Sequence, residues 1–213
     1  MIQLFFLCNL LFFAKASYRC YLYQKDDSCL VDFIDGGLWM RGRTPDLAYA
    51  GNPDWGLLTL TMTIPTVVVE KDVTVIPQDF LIGRGVKYVY LEDSVTSINK
   101  NAFKGNEIET LRIPKSCKTI GSNSFQSNRK LNKVYIPSNV TIASEAFANC
   151  GDFTIYYDGN TEPKVSETAF KESNPTIVVP KTYTGKTFGG IKVTAGVSNT
   201  VILLLSMLIF ILL

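Results

Sequence analysis

Phenylalanine recurs at positions 80, 103, 125, 147 and 170, in steps of 23, 22, 22 and 23 residues. A fixed period of roughly 20–50 residues is the mark of stacked repeats. An aliphatic residue precedes each phenylalanine by four or five positions: Ile76, Ile98, Ile120, Ile142 and Val165. A second apolar cluster follows each one. It reads "VKYVYL" with Val86, Val89 and Leu91, then "IETLRIP" with Ile108, Leu111 and Ile113, then "LNKVYIP" with Leu131, Val134 and Ile136. The fourth and fifth copies shorten to "FTIYYD" and "TIVVP", and an upstream "TVVVEKDVTVI" supplies Val67 and Val69. Alternation with period two predicts a short strand with one buried face in every cluster. Prolines at 114, 137 and 180 end the strands, because proline has no N–H to give a neighbour. One such repeat buries too little apolar surface to offset the entropy of ordering its backbone. Only stacking, which covers both faces of each layer, makes it stable. The spacing therefore predicts a solenoid in which the phenylalanine rings form a column.

The pattern V-T-x-I-x-x-x-A-F-x-x-(C/N)-x-x-L-x-x-V-x-I-P runs through "VTSINKNAFKGNEIETLRIPKS", "CKTIGSNSFQSNRKLNKVYIPSN" and "VTIASEAFANCGDFTIYYDGN". It resembles the BspA-like leucine-rich repeat across about residues 66–180. Repeat one departs from it at Glu92, where the proline is missing, and Asn106 stands where the family has the cysteine that Cys150 keeps. The segment "CLVDFIDGGLWMRGRTPDLAY" resembles the family's N-terminal β-hairpin cap, with Asp35-Gly36-Gly37 as its turn, and "TIVVPKTYTGKTFGGIKV" resembles its terminal capping repeat. The expected fold is a β-rich α/β solenoid of leucine-rich-repeat type. It is a right-handed stack with a parallel sheet, short helical or 3-10 turns at each phenylalanine, and an N-terminal β-hairpin cap. The expected divisions are 1–16, 17–65 (cap), 66–180 (repeats), 181–200 (C-terminal cap and spacer) and 201–213. The resemblance also implies a surface-exposed protein that binds host or matrix proteins.

Strands in register leave alternate residues on the outer face of the sheet. Those are Val68, Tyr88, Tyr90, Thr110, Arg112, Lys133, Tyr135, Thr154, Tyr156 and Val178. Tyrosine and arginine are enriched at binding hot spots, so Tyr88, Tyr90, Thr110, Arg112, Lys133, Tyr135, Thr154 and Tyr156 form the expected patch for a protein or glycan ligand. Tyrosine also favours strands as such, which leaves an ordinary solvated sheet as the alternative.

The two ends differ from the middle. "MIQLFFLCNLLFFAKAS" has an apolar run from Ile2 to Ala14 and an A-x-A close at Ala14-Lys15-Ala16, so a signal peptide cleaved after Ala16 is expected, although no Lys or Arg precedes the run. The last stretch, "VILLLSMLIFILL", begins at Val201. As a helix it would be about 20 Å long, short of a bilayer core of about 30 Å. A short apolar tail after small polar residues is the pattern of a GPI-attachment signal, with a short membrane helix as the alternative. Candidate attachment residues are Gly189, Gly190, Ala195, Gly196, Ser198 and Asn199, and a spacer of about 8–12 residues before the tail favours Gly189 or Gly190. The expected location is the extracellular face of the plasma membrane.

Export implies an oxidising exterior. With Cys8 lost in the leader, Cys20, Cys29, Cys117 and Cys150 allow three pairings. Cys20 and Cys29 are close in sequence, and a local disulfide between them is expected. Cys117 and Cys150 fall at different repeat phases and read as small buried hydrophobes. Asn139-Val140-Thr141 is an N-glycosylation sequon.

The chain has no histidine, which removes the usual general base and the commonest metal ligand. Asp26, Asp27 and Asp35 lack the ligand spacing of a calcium loop. "GRGVK" at 83–87 lacks the G-K-[ST] ending of a phosphate loop. A net charge of +2 with no basic run gives no sign of nucleic-acid binding. No catalytic residue, cofactor or metal site is therefore expected. The leading function is partner binding at the cell surface, the second is a structural coat or antigen without a specific ligand, and a carboxylate-dependent hydrolase is a distant third.

Overall fold

The computed structural model describes residues 20–21, 29–34, 36–42 and 63–197. The expected leader at 1–16, the expected tail signal at 201–213, and the attachment candidates Ser198 and Asn199 lie outside the described residues. So do the side chains of Cys20 and Cys29, and with them the expected disulfide.

The strands in chain order are β1 (Cys20–Tyr21), β2 (Cys29–Ile34), β3 (Gly37–Gly42), β4 (Thr66–Val69), β5 (Val75–Ile76), β6 (Tyr88–Leu91), β7 (Ser97–Ile98), β8 (Thr110–Arg112), β9 (Thr119–Ile120), β10 (Lys133–Ile136), β11 (Thr141–Ile142), β12 (Gly151–Tyr157), β13 (Lys164–Val165), β14 (Ser173–Pro180), β15 (Thr187–Phe188) and β16 (Ile191–Val197). They form two sheets. The larger runs β1-β2-β3-β4-β6-β8-β10-β12-β14-β16-β15, and the smaller runs β13-β11-β9-β7-β5. Each layer gives one strand to each sheet, so the repeat period is the length of one circuit. Neighbouring layers pair in parallel, with Val67 opposite Val89, Leu111 opposite Val134, and Ile155 opposite Val134 and Ile177. In the smaller sheet Ile76, Ile98, Ile120, Ile142 and Val165 form one row. The two rows face each other across the core, and all but Val165 are buried.

The phenylalanine column closes the third side. Phe103–Phe125 and Phe125–Phe147 stack at 5.6 and 5.3 Å between centroids, each with 10° between planes. Phe147–Phe170 follows at 6.0 Å and 19°. The column runs on into the cap, where Phe188 lies 6.2 Å from Phe170. Its first member is turned. Phe80 meets Phe103 edge-on, at 5.9 Å and 84°. The backbone explains the turn. The Leu81 N–H donates to Ala102 C=O just as Phe103 N–H donates to Ser124 C=O and Phe125 N–H to Ala146 C=O. Leu81 therefore holds the phenylalanine slot of the first layer, and Phe80 enters the column one residue early.

No α- or 3-10 helix occurs among the described residues, so the expected helical turns at the phenylalanines are corrected to plain turns. A helix needs its N–H groups for itself. Here alternate N–H groups leave the turn: Asn101, Phe103 and Gly105 donate to Ser122, Ser124 and Gln126 of the next layer. Left-handed residues also bracket each turn, at Asn101 (φ 57°) and Gly105 (φ 70°), at Asn123 (φ 59°) and Ser127 (φ 62°), and at Glu145 and Asn149 (both φ 55°). A right-handed helix cannot pass through either end.

A buried polar ladder ties the layers together three residues after each phenylalanine slot. The Asn106 Nδ2 donates to Leu81 O at 2.7 Å, Asn128 Nδ2 to Phe103 O at 2.9 Å, Cys150 Sγ to Phe125 O at 3.2 Å, and Ser173 Oγ to Phe147 O at 2.8 Å. The Oδ1 of Asn106 accepts from the N–H groups of Arg84 and Val86. Cys150 is therefore a hydrogen-bond donor in a ladder, and not only the small hydrophobe expected. Cys117 fills the slot that Val95 holds one layer earlier, and both cysteines are buried free thiols.

The ends are capped. β2 and β3 pair antiparallel with Ile34 opposite Gly37, and β3 then pairs in parallel with β4. At the other end β14 pairs with β16, which folds back on β15 across a Gly189-Gly190 turn (φ 57° and 81°). Two loops near this end share a Y-x-G-x-T sequence, at 157–161 and 183–187. In each, the tyrosine hydroxyl donates to the threonine carbonyl, Tyr157 to Thr161 at 3.0 Å and Tyr183 to Thr187. A Cβ on Gly159 would lie 2.2 Å from Tyr157 Oη, and one on Gly185 would lie 2.6 Å from the Tyr183 ring. Glycine is required there because the ring folds over it.

Candidate functional face

The eight expected residues fall in two rows on the outside of the larger sheet. One row runs Thr66, Tyr88, Thr110, Lys133, Thr154 and Thr176. The other holds Trp39 opposite Val68, Val68 opposite Tyr90, Arg112 opposite Tyr135, Tyr135 opposite Tyr156, and Tyr156 opposite Val178. The pairing of Tyr88 with Thr110 sets Tyr90 beside Arg112 two residues further on. Parallel pairing in register brings these groups together, since strands about 4.8 Å apart leave adjacent side chains in contact.

The rows are not equally open. Tyr88 is 43% exposed, whereas Tyr135 is 5% exposed although it stands on the outer face. Its ring stacks on Tyr156 at 5.1 Å and 14°, and Arg112 flanks it on the other strand. Tyr135 is therefore a covered member of the expected patch. Burial raises the Tyr135 hydroxyl pKa, and the Tyr156 phenol raises it further. Tyr90 is raised the same way, by burial and then by Tyr88. These hydroxyls stay protonated at neutral pH and can both donate and accept.

Trp39 and Thr176 were missed. Trp39 comes from the cap hairpin, where the alternation of "GLWMRG" buries Leu38 and Met40 and turns the tryptophan outward. The alternation was legible; that the cap extends the same sheet was not.

The rim beyond the rows carries Glu70, Glu92, Pro114, Pro137 and Asp158. Burial raises the Asp158 pKa, with Lys115 opposing. Across adjacent layers Lys130 Nζ lies 3.0 Å from Glu107 Oε2, and that hydrogen bond lowers the Glu107 pKa. Among the described residues no three Cys, Asp or Glu side chains gather where they could hold a metal ion, and no helix is long and apolar enough to cross a membrane.

Asn139 is exposed, in a turn after β10, with φ 61°. Gly189 and Gly190 form the β15–β16 turn, and the Gly189 N–H donates to Glu162 Oε1 at 3.1 Å. Ala195 and Gly196 lie within β16.

A family model described as BspA type leucine rich repeat region matches residues 60–176 in 6 copies. Among solved structures the chain is similar to a leucine rich cell surface protein from Faecalibacterium prausnitzii A2-165. The identity is 14%, the match covers 63% of each chain, and the TM-score is 0.34. Comparison with curated proteins finds no match.

Proposed function

The chain belongs to the BspA-type leucine-rich repeat family, and from that premise we propose that it is a cell-surface protein whose outer sheet face binds a protein partner. The observation that carries this reading is the pair of in-register rows, in which tyrosines, threonines and two cations share one face. Ring stacking holds Tyr135 and Tyr156 in place before any partner arrives. Such preorganisation lowers the entropic cost of binding. A protein is favoured over a glycan because those two rings cover each other's faces. A sugar stacks on an open aromatic face, and the near-complete burial of Tyr135 leaves little of its ring open to one.

Binding is tested with the full-length chain displayed on cells. Tyr88→Ser with Tyr90→Ser removes two aromatic contacts from the accessible end without touching the covered Tyr135. A bound surface protein should be lost from the double variant while display is unchanged. Equal capture by both forms overturns the reading. The near-complete burial of Tyr135 favours a second one, in which the rows only seal the sheet of a coat protein; it predicts that equal result.

We also propose attachment at the extracellular face through the C-terminal segment, by a GPI lipid or a short helix. Of the lipid candidates, Gly189 and Gly190 precede β16, so cleavage there would remove a paired strand. Ala195 and Gly196 lie inside that strand. Attachment beyond Val197, at Ser198 or Asn199, leaves the cap whole. Release by phosphatidylinositol-specific phospholipase is expected for the lipid, and retention for the helix.

A further inference from the structure

We propose that Asn139 is an acceptor for an N-linked glycan, on the flank of the solenoid beside the outer face. The turn between the two sheets changes length from layer to layer. In the first three layers the buried turn residue lies three positions before the buried aliphatic of the smaller sheet: Val73 to Ile76, Val95 to Ile98, and Cys117 to Ile120. In the fourth layer Val140 and Ile142 are only two apart, and both are buried. One residue has gone from that turn. The shortening sets a threonine two positions after an asparagine, so Asn139-Val140-Thr141 is a sequon where the neighbouring layers have none. It is the one N-x-[ST] triplet without proline at its centre, since Asn174-Pro175-Thr176 is barred by Pro175.

The fold then presents the acceptor. Val140 is 1% exposed and anchors the turn in the core. Asn139 takes the left-handed φ of 61° that tightens it, a conformation asparagine tolerates better than most residues. Its side chain is exposed at the tip. The same flank carries Lys71, Asp72, Asp93, Lys115 and Ser138, all exposed. A hydrated glycan would have these polar side chains along its flank. Asn139 lies past the end of β10, four residues beyond Tyr135, so the sugar would stand at the rim and leave the tyrosine rows open.

In the transfer, the Asn139 side-chain amide nitrogen bonds to the anomeric carbon of an oligosaccharide carried on a polyprenyl diphosphate. The carbon–oxygen bond to the diphosphate breaks, the diphosphate leaves with the electron pair, and the amide nitrogen gives up one proton. No oxidant or reductant is required.

The test uses the full-length chain sent through the secretory route of a eukaryotic cell. Intact mass is measured before and after treatment with a peptide amidase that releases N-linked glycans. Wild type should carry one glycan and lose it on treatment, with Asn139 converted to aspartate. Asn139→Asp keeps the side-chain size and removes the acceptor. Thr141→Val keeps the β-branch in β11 and removes the hydroxyl. Both should match the treated wild type in glycan content, and Thr141→Ser should restore the modification. A wild-type chain that reaches the surface at the mass of its bare polypeptide, unchanged by the amidase, overturns the proposal. The readout is independent of any partner, so it stands or falls separately from the binding face.

Discussion

Asn128 shows how much one side chain can hold. It is fully buried. Its Oδ1 accepts from the Ile108 N–H at 3.3 Å, while its Nδ2 donates to Phe103 O at 2.9 Å and Phe125 O at 2.8 Å. Three backbone groups from two layers depend on it. Each group left unsatisfied costs about 1–3 kcal/mol, so Asn128→Leu should destabilise by several kcal/mol in urea unfolding. Asn128→Cys should lose less, because Cys150 makes the equivalent bond to Phe125 O. The two thiols also set a pH limit. Burial raises both Cys117 and Cys150 from 9.0 to about 11. A pKa raised on folding means the neutral thiol is favoured in the fold. The associated stability is present below the unfolded value and is lost as pH rises through the folded one. Native protein should resist alkylation at pH 8, and its stability should fall between pH 9 and about 11. Ready labelling of both thiols at pH 8 without unfolding would contradict this.

At the scale of the element, the turn is the unit that decides the fold. Each turn spends alternate N–H groups on its neighbour, so it adds to the stack what it withholds from itself. The phenylalanine inside it is buried between two others. Phe125→Ala removes a fully buried ring from the middle of the column, with partners at 5.6 and 5.3 Å. Large-to-small core changes of this kind cost about 3–5 kcal/mol, measurable as a drop in the unfolding midpoint. The position of Phe80 was not legible in the spacing. The step of 23 residues to Phe103 hides the fact that the backbone repeat begins at Leu81. A ring can reach the column from either of two neighbouring positions, and sequence periodicity does not distinguish them.

For the whole molecule, a layer contacts only its neighbours, so stability is a sum of layer and interface terms. The caps then matter most, because they cover what the last layers would leave bare. Deleting β15 and β16 (187–197) removes Phe188 from the column and uncovers β14. The truncated chain should melt at a lower temperature, and amide exchange in β14 should speed up well before that in β8 and β10. Equal protection along the stack in the truncated chain would mean that the cap contributes nothing.

Read alone, the chain set the layer length, the two aliphatic rows, the aromatic spine and the part of the outer face that the repeats supply, short of Thr176. These follow from periods of two and about twenty-two residues, and a period is a local property of the pleat and the circuit. Tertiary structure decided the rest. It placed Trp39 on the same face through the cap, covered Tyr135 with its neighbour, and replaced the expected helical turns by plain ones. It also gave Cys150 a partner one layer away. Each of those outcomes depends on a group about one layer or more away along the chain, and only stacking brings such groups within reach.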